Sequence, residues 1–126
     1  MSAPIARLRL AALFLPLVLG ACAAGAPSLV RPDVSGGIPL VASGTHFDRS
    51  TVGVTANRPF ALVFENRDGE QHNVSISPAN GAAPVFVGEI FGGPAIRVYA
   101  VPALAVGRYT FRCDVHAEMT GTLVSE

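Results

Sequence analysis

Hydrophobic and polar residues alternate along most of the chain after residue 38, the pattern of half-buried β-strands. Residues 72–77 place Val74 and Ile76 between polar neighbours, and residues 96–101 alternate in the same way. In residues 107–112, Tyr109 and Phe111 fall on one face. The pattern predicts six strands, at residues 51–55, 60–65, 72–77, 96–101, 107–112 and 119–124.

Turn signals rich in Gly, Pro, Asn and Asp separate these strands. They fall at residues 66–69, 78–81 and 92–94, and at Pro102 with Gly107. No stretch has the period of an amphipathic helix. Many short strands punctuated in this way predict an all-β fold, a β-sandwich of Greek-key type.

The first 21 residues differ in character and predict a lipoprotein signal peptide. Arg7 and Arg9 precede an apolar run over residues 10–19, which is too short for a stable membrane-spanning helix. The run ends in Leu-Gly-Ala-Cys at residues 19–22, which resembles a bacterial lipobox and predicts lipidation of Cys22. The alternative is an ordinary signal peptide cleaved between residues 21 and 24, with Cys22 incidental.

Three segments are therefore expected, namely a signal peptide (1–21), a lipidated N-terminus with a flexible tether (22–37) and one domain (38–126). The tether follows from its small residues, Pro and Gly, and the remaining length suits a single core. The expected location is extracytoplasmic, anchored by lipid to a bacterial membrane on its periplasmic side. Ala23 offers no inner-membrane retention signal, which favours an outer membrane where there are two.

Charge argues against one class of partner. Without Arg7 and Arg9, seven Arg face nine acidic residues, a net charge of −2, and no basic run is present. Proteins that bind nucleic acid usually carry a basic patch. Nucleic acid is therefore excluded as an expected partner.

Cysteine usage points to a metal. If Cys22 carries lipid, Cys113 is the remaining thiol in an oxidising compartment, where lone cysteines are usually paired or avoided. Metal ligation protects and uses a thiolate. Cys113 also opens a Cys-x2-His-x2-Met motif with His116 and Met119, between two predicted strands. A thiolate, imidazoles and a weak axial thioether form the donor set of blue copper, whereas zinc gains little from Met.

The set needs a second imidazole, which His46 or His72 must supply. His72 opens a predicted strand directly after a turn and is the expected ligand. His46 precedes the first predicted strand and nothing pairs it with the site, so we interpret it as a surface or hydrogen-bonded histidine. Glu89 is interpreted as an ordinary solvated residue.

Two separated motifs resemble the cupredoxins, the family of type 1 (blue) copper proteins, and above all the amicyanin and plastocyanin-like branch. They are Asn-Arg-x4-His-Asn-Val at residues 66–74 and Cys-x2-His-x2-Met at residues 113–119. The resemblance spans residues 38–126. It implies one copper ion held by His72, Cys113, His116 and Met119. It also implies that Asn73 ties the two ligand-bearing segments together through hydrogen bonds.

Two positions in the ligand loop depart from the family pattern. Ala117 stands where related loops often have Pro, which implies a less rigid loop. Glu118 stands where amicyanin-like proteins often have an apolar residue, and its carboxylate is expected beside the exposed edge of His116. Neither departure removes a ligand.

The resemblance implies single-electron shuttling between Cu(II) and Cu(I), with a redox protein such as a cytochrome or a cuproenzyme as partner. No small-molecule substrate and no enzymatic activity are expected. Two alternatives remain open. One is a copper-binding protein that delivers copper to a membrane or periplasmic cuproenzyme, and the other is a structural or zinc-binding sandwich in which Met119 is core.

Overall fold

The computed structural model describes residues 35–126, and every strand lies after residue 37. The predicted signal peptide, the lipidation of Cys22 and most of the tether lie outside the described residues. Within residues 35–126 no helix has the length and apolar character needed to cross a membrane. The strands are β1 (Ile38–Ser43), β2 (His46–Phe47), β3 (Thr51–Val54), β4 (Phe60–Asn66), β5 (Gln71–His72), β6 (Ser75–Pro78), β7 (Phe86–Val87), β8 (Phe91–Gly92), β9 (Ala95–Val101), β10 (Gly107–Arg112) and β11 (Thr120–Ser125).

Two sheets form the sandwich, and a separate two-stranded ladder accompanies them. The first sheet has the order β2-β1-β4-β9 and the second has the order β3-β11-β10-β6-β7, while β5 pairs with β8. Two ladders are parallel, β1 with β4 and β3 with β11, and the others are antiparallel. Parallel neighbours so far apart in sequence require crossovers between sheets. The predicted all-β sandwich is confirmed.

The core lies between the two sheets and is built from the inward positions of each strand. In β4, Leu62 and Phe64 are buried while Ala61 is exposed, as the alternation predicts. Phe111 of β10 is 1% exposed and stacks edge-on against Phe47, with 5.2 Å between ring centroids. Each such side chain contributes about 1.5–3 kcal/mol when it leaves water, so this core fixes the sheets rigidly around the site described below.

The predicted strand at residues 72–77 is interrupted. β5 ends at His72 and β6 begins at Ser75, so Asn73 and Val74 belong to neither ladder. The carbonyl of Val74 instead accepts a hydrogen bond from the N–H of Gly88 (2.9 Å), and the side chain of Asn73 is turned to other partners. The interruption lets His72 face one end of the sandwich while Ile76 enters the core.

β9 alternates as predicted, but its apolar residues Ile96 and Val98 lie on the exposed face, whereas a half-buried strand ordinarily turns its apolar residues to the core. Ile96 and Val98 are exposed, 38% and 39%, whereas Arg97 and Tyr99 lie half-buried on the other face. The guanidinium of Arg97 lies 4.5 Å from the centroid of the Phe91 ring and also pairs with Glu89. The segment with Glu89 and Phe91 lies on this side of β9. It accommodates Arg97 because it provides a carboxylate and an aromatic face.

Candidate metal centre

Three of the predicted ligands converge at one end of the sandwich. Nδ1 of His72 lies 3.9 Å from Sγ of Cys113, and Nδ1 of His116 lies 3.6 Å from the same sulfur. The three donor atoms all lie within 4.8 Å of one another, although the residues come from β5 and from a loop 41 residues later. These separations suit three donors around one ion.

The ligand loop between β10 and β11 is closed by its own backbone. The N–H of Cys113 donates to the carbonyl of Met119 (2.9 Å), and the N–H of Met119 donates to the carbonyl of His116 (3.0 Å). Cys113 and Met119 are 2% and 1% exposed. The two hydrogen bonds tie the sulfur-bearing residues to the same turn, so the loop holds all three of its donors without help from a Pro at Ala117.

His72 is completely buried and contacts a polar group on each side. Its Nδ1 faces Cys113, while its Nε2 lies 3.1 Å from Oδ1 of Asp68. The ring lies 4.7 Å from that of His116, centroid to centroid, at an angle of 40°. Both imidazoles therefore point their Nδ1 atoms at the thiol.

Asn73 joins the two ligand-bearing segments, as the resemblance implies. Its side-chain carbonyl accepts from the N–H of Asp114 (2.8 Å), and its NH2 donates to the carboxylate of Asp114 (2.8 Å). The same NH2 donates to the carbonyl of Gly88 (3.1 Å), and the hydroxyl of Ser75 donates to Asp114 as well. This network links the residue after the first ligand to the residue after the thiolate.

Hydrogen bonds set the charge state of the two carboxyl groups in these networks. Burial would raise the pKa of Asp114, but bonds from Ser75 and Asn73 and the nearby Arg112 outweigh it and lower that pKa. Burial would likewise raise the pKa of Asp68, yet backbone bonds from Gly44 and Glu70, with His72 beside it, lower it. Both side chains are therefore acceptors at neutral pH.

The edge of the site reaches solvent through His116, whose side chain is 21% exposed. Val115 beside it is 45% exposed. The carboxylate close to this edge is that of Glu70, 3.6 Å from Nε2 of His116. Glu118, which was also expected beside this edge, is exposed and lines a depression with His46 and Met119. The loop at residues 66–70 thus contributes a negative charge to the exposed edge.

The other two candidates lie apart from the donors. His46 is exposed in β2 and pairs with Ser43, and it is not among the donors grouped around Cys113. Glu89 is 61% exposed and accepts a hydrogen bond from Nε of Arg97 (3.2 Å). Both match the interpretation as solvated residues.

Sequence reasoning missed the residues that support the ligands, namely Asp68, Glu70, Ser75 and Asp114. Asp114 follows Cys113 directly in the sequence, and this adjacency could have indicated that Asp114 supports the ligand-bearing segment. Asp68 stands four residues before His72 in a turn, where an Asp is ordinarily explained by the turn itself. Its contact with the buried imidazole is visible only in three dimensions.

The sequence profile of the cupredoxin-like domain matches residues 10–125, nearly the entire chain. This chain belongs to the cupredoxin-like family. Among curated proteins no sequence matches this cupredoxin significantly.

Several solved structures are similar to it in fold. Dithionite-reduced auracyanin from the photosynthetic bacterium Roseiflexus castenholzii aligns with a TM-score of 0.64 and 18% identity, over 73% of this chain and 98% of its own. Auracyanin A, a blue copper protein from Chloroflexus aurantiacus, aligns with a TM-score of 0.62 and 18% identity, over 71% and 98%. A reduced amicyanin variant aligns with a TM-score of 0.58 and 22% identity, over 73% and 84%.

The donor set fits copper. A buried thiolate and two imidazoles stand close enough to share one ion, and a buried thioether occupies the same closed loop. Thiolate and thioether favour Cu(I), while imidazole also suits Cu(II), so the mixture serves both oxidation states. His72, Cys113, His116 and Met119 therefore form a type 1 copper site in this cupredoxin.

Proposed function

We propose that this cupredoxin is an electron carrier, in which the copper site exchanges one electron between Cu(II) and Cu(I). The observation that supports this most directly is the pre-arranged donor set, with three donor atoms within 4.8 Å on two segments joined by Asn73 and Asp114. A site held so firmly changes little between oxidation states, which favours fast exchange. The protein converts no substrate and is a carrier rather than an enzyme.

Electrons enter and leave through the edge of His116. Its imidazole is the partly exposed member of the set, whereas His72 and Cys113 are buried. Val115 gives this edge an apolar side chain, and Glu70 gives it a negative charge. The partner is a redox protein, a cytochrome or a cuproenzyme, that docks over this edge.

The proposed location is the periplasmic side of a bacterial membrane, with the domain tethered through lipid on Cys22. The support is the Leu-Gly-Ala-Cys motif at the end of the apolar run and the tether-like composition that follows it. The two residues immediately before the first strand are glycines, which suits a tether joined to a folded domain.

Replacing Cys22 by Ser should release the protein from membranes, because the serine hydroxyl cannot accept the thioether-linked lipid. Fractionation of cells should then find Cys22→Ser in the soluble extracytoplasmic fraction and the parent protein in the membrane fraction. The matched control is Ser28→Ala in the tether, which should stay in the membrane fraction. Continued membrane association of Cys22→Ser would refute lipid anchoring.

Replacing Met119 by Leu should retain the blue colour and raise the reduction potential. Leu fills a similar buried volume but removes the weak axial donor, which leaves a trigonal set of one thiolate and two imidazoles. This lower coordination number suits Cu(I) better than Cu(II), so the potential rises. A tenfold change in the relative affinities is about 59 mV for a one-electron couple, and a shift of at least this order is expected. Voltammetry of the two proteins measures it, and an unchanged potential would show that Met119 is not an axial ligand.

Copper delivery is the second candidate, and one observation favours it. Ala117 and Glu118 are both exposed in a loop without the Pro that related loops often carry, so the His116 side of the site is open to a competing ligand. The test is a competition between the Cu(I) protein and a Cu(I) chelator. Loss of copper on the time scale of mixing would favour delivery, whereas retention for hours would favour the carrier.

A further inference from the structure

The buried ligand His72 has a second, outward-facing contact that the donor set does not require. Its imidazole is 0% exposed, so neither ring nitrogen meets water. Nδ1 faces the sulfur of Cys113 and Nε2 faces Oδ1 of Asp68 at 3.1 Å. Each nitrogen therefore has a chemically different neighbour at hydrogen-bonding range, and a carboxylate oxygen of Glu70 also lies within 4.8 Å of a ring nitrogen.

Asp68 is held in place independently of His72. Its Oδ2 accepts from the N–H of Gly44 in the turn between β1 and β2 (2.5 Å), and its Oδ1 accepts from the N–H of Glu70 (3.1 Å). Its own backbone is fixed too, because its N–H donates to Oδ1 of Asn66 (3.1 Å) and its carbonyl accepts from Gly93 (2.9 Å). The carboxylate is thus a rigid feature of the fold that happens to face a copper ligand.

Asn66 extends this bracing to the ladder that carries His72. It is 1% exposed, and its NH2 donates to the carbonyls of Glu70 (2.8 Å) and Phe91 (2.9 Å). Phe91 is the register partner of His72. The turn with Asp68 and the strand with His72 are therefore fixed relative to each other.

We propose that Asp68 is a positioning residue for the copper site, which fixes the tautomer and orientation of His72 and favours the oxidised ion through its charge. The predicted effect of Asp68 on the reduction potential rests on the proposed electron-transfer function, whereas its predicted effect on the tautomer of His72 does not.

The chemistry has two parts. A carboxylate that already receives backbone N–H groups can only accept, so the proton of the neutral imidazole lies on Nε2 and the lone pair of Nδ1 faces Cys113. A hydrogen bond from a ligating imidazole to a carboxylate also raises the basicity of the ligand. The negative charge of Asp68, one imidazole away from the ion, favours Cu(II) over Cu(I) and lowers the reduction potential.

Glu70 offers a matched comparison within the same turn. Its carboxylate lies 3.6 Å from Nε2 of the other imidazole ligand, His116, and its side chain is 64% exposed. Water screens a charge at such a position, and the distance exceeds that of a hydrogen bond. Comparing variants of the two residues therefore distinguishes the effect of a hydrogen bond to a buried imidazole from the effect of a nearby negative charge.

The first experiment reads the tautomer in the metal-free protein at neutral pH, by nitrogen-15 NMR of the histidine rings. In the parent protein His72 should show a proton on Nε2 that exchanges slowly with water. In Asp68→Ala this proton should exchange at least tenfold faster, while in Glu70→Gln it should behave as in the parent. A proton on Nδ1 in the parent, or unchanged exchange in Asp68→Ala, would overturn the proposal whatever the protein does with copper.

The second experiment compares the reduction potentials of Asp68→Asn and Glu70→Gln, which each remove one negative charge with little change in shape. Asp68→Asn should weaken Cu(II) binding relative to Cu(I) by about tenfold, a rise of about 59 mV in potential. Glu70→Gln should change the ratio less than threefold. Equal shifts in the two variants, or no shift in Asp68→Asn, would overturn the proposal. Absence of a copper couple in the parent protein would instead contradict the proposed function.

Discussion

Replacing Cys113 by Ala should abolish the intense visible absorption of the Cu(II) protein. That absorption requires a thiolate bound to Cu(II), and among the described residues Cys113 is the sole cysteine, buried between the two imidazoles. Ala keeps the backbone bond from this residue to Met119, so the loop retains its closure. The absorption spectrum of the purified variant with one equivalent of Cu(II) is the measurement.

Two histidine variants show whether loss of the colour is specific to the proposed ligands. His116→Gln should also lose the colour, because His116 is one of the three donors around the sulfur, whereas His46→Gln should keep it, because His46 is exposed in β2. Thermal unfolding of the metal-free proteins shows whether each variant is folded. A folded Cys113→Ala protein that is still blue would remove Cys113 from the site.

Replacing Asn73 by Ala should lower the free energy of unfolding of the metal-free protein by about 2–4 kcal/mol. The side chain is 0% exposed and bonds to the N–H and the carboxylate of Asp114 and to the carbonyl of Gly88. The truncation leaves these groups without their partner, at about 1–3 kcal/mol for each that stays buried, and relaxation recovers part of that. Urea unfolding at neutral pH measures the change.

The metal-free form is the right sample because bound copper would add its own stabilisation. Asn80→Ala is the matched control, since Asn80 is exposed and accepts one bond from Ala82 in a turn. It should change the free energy by less than about 0.5 kcal/mol. A loss below 1 kcal/mol in Asn73→Ala would mean that the two ligand-bearing segments are held together by packing alone.

Much of the fold could be predicted from the sequence because its strands are half-buried. β4 alternates between buried and more exposed positions, β10 buries Phe111 between less buried neighbours, and the predicted bounds of both strands agree within a residue. The donors could be predicted because Cys113, His116 and Met119 stand at a spacing that few other chemistries require. His72 could be added because its flanking residues resemble the family pattern.

The features that could not be predicted depend on contacts distant in sequence. The exposure of Ile96 and Val98 depends on Phe91 and Glu89, which attract Arg97 to the other face. The break after His72 depends on Asp114, 41 residues from Asn73, and on Gly88. The same holds for Asp68, whose position in a turn conceals its contact with a ligand.

The spectrum of the protein with copper tests the central claim most directly. The full chain, freed of metal and then given Cu(II), should bind one equivalent with the imidazoles and the thiolate and become intensely blue or green. Addition of a one-electron reductant should bleach the colour, and reoxidation should restore it over repeated cycles. A colourless Cu(II) form, or a colour that does not return, would contradict a type 1 site that carries electrons.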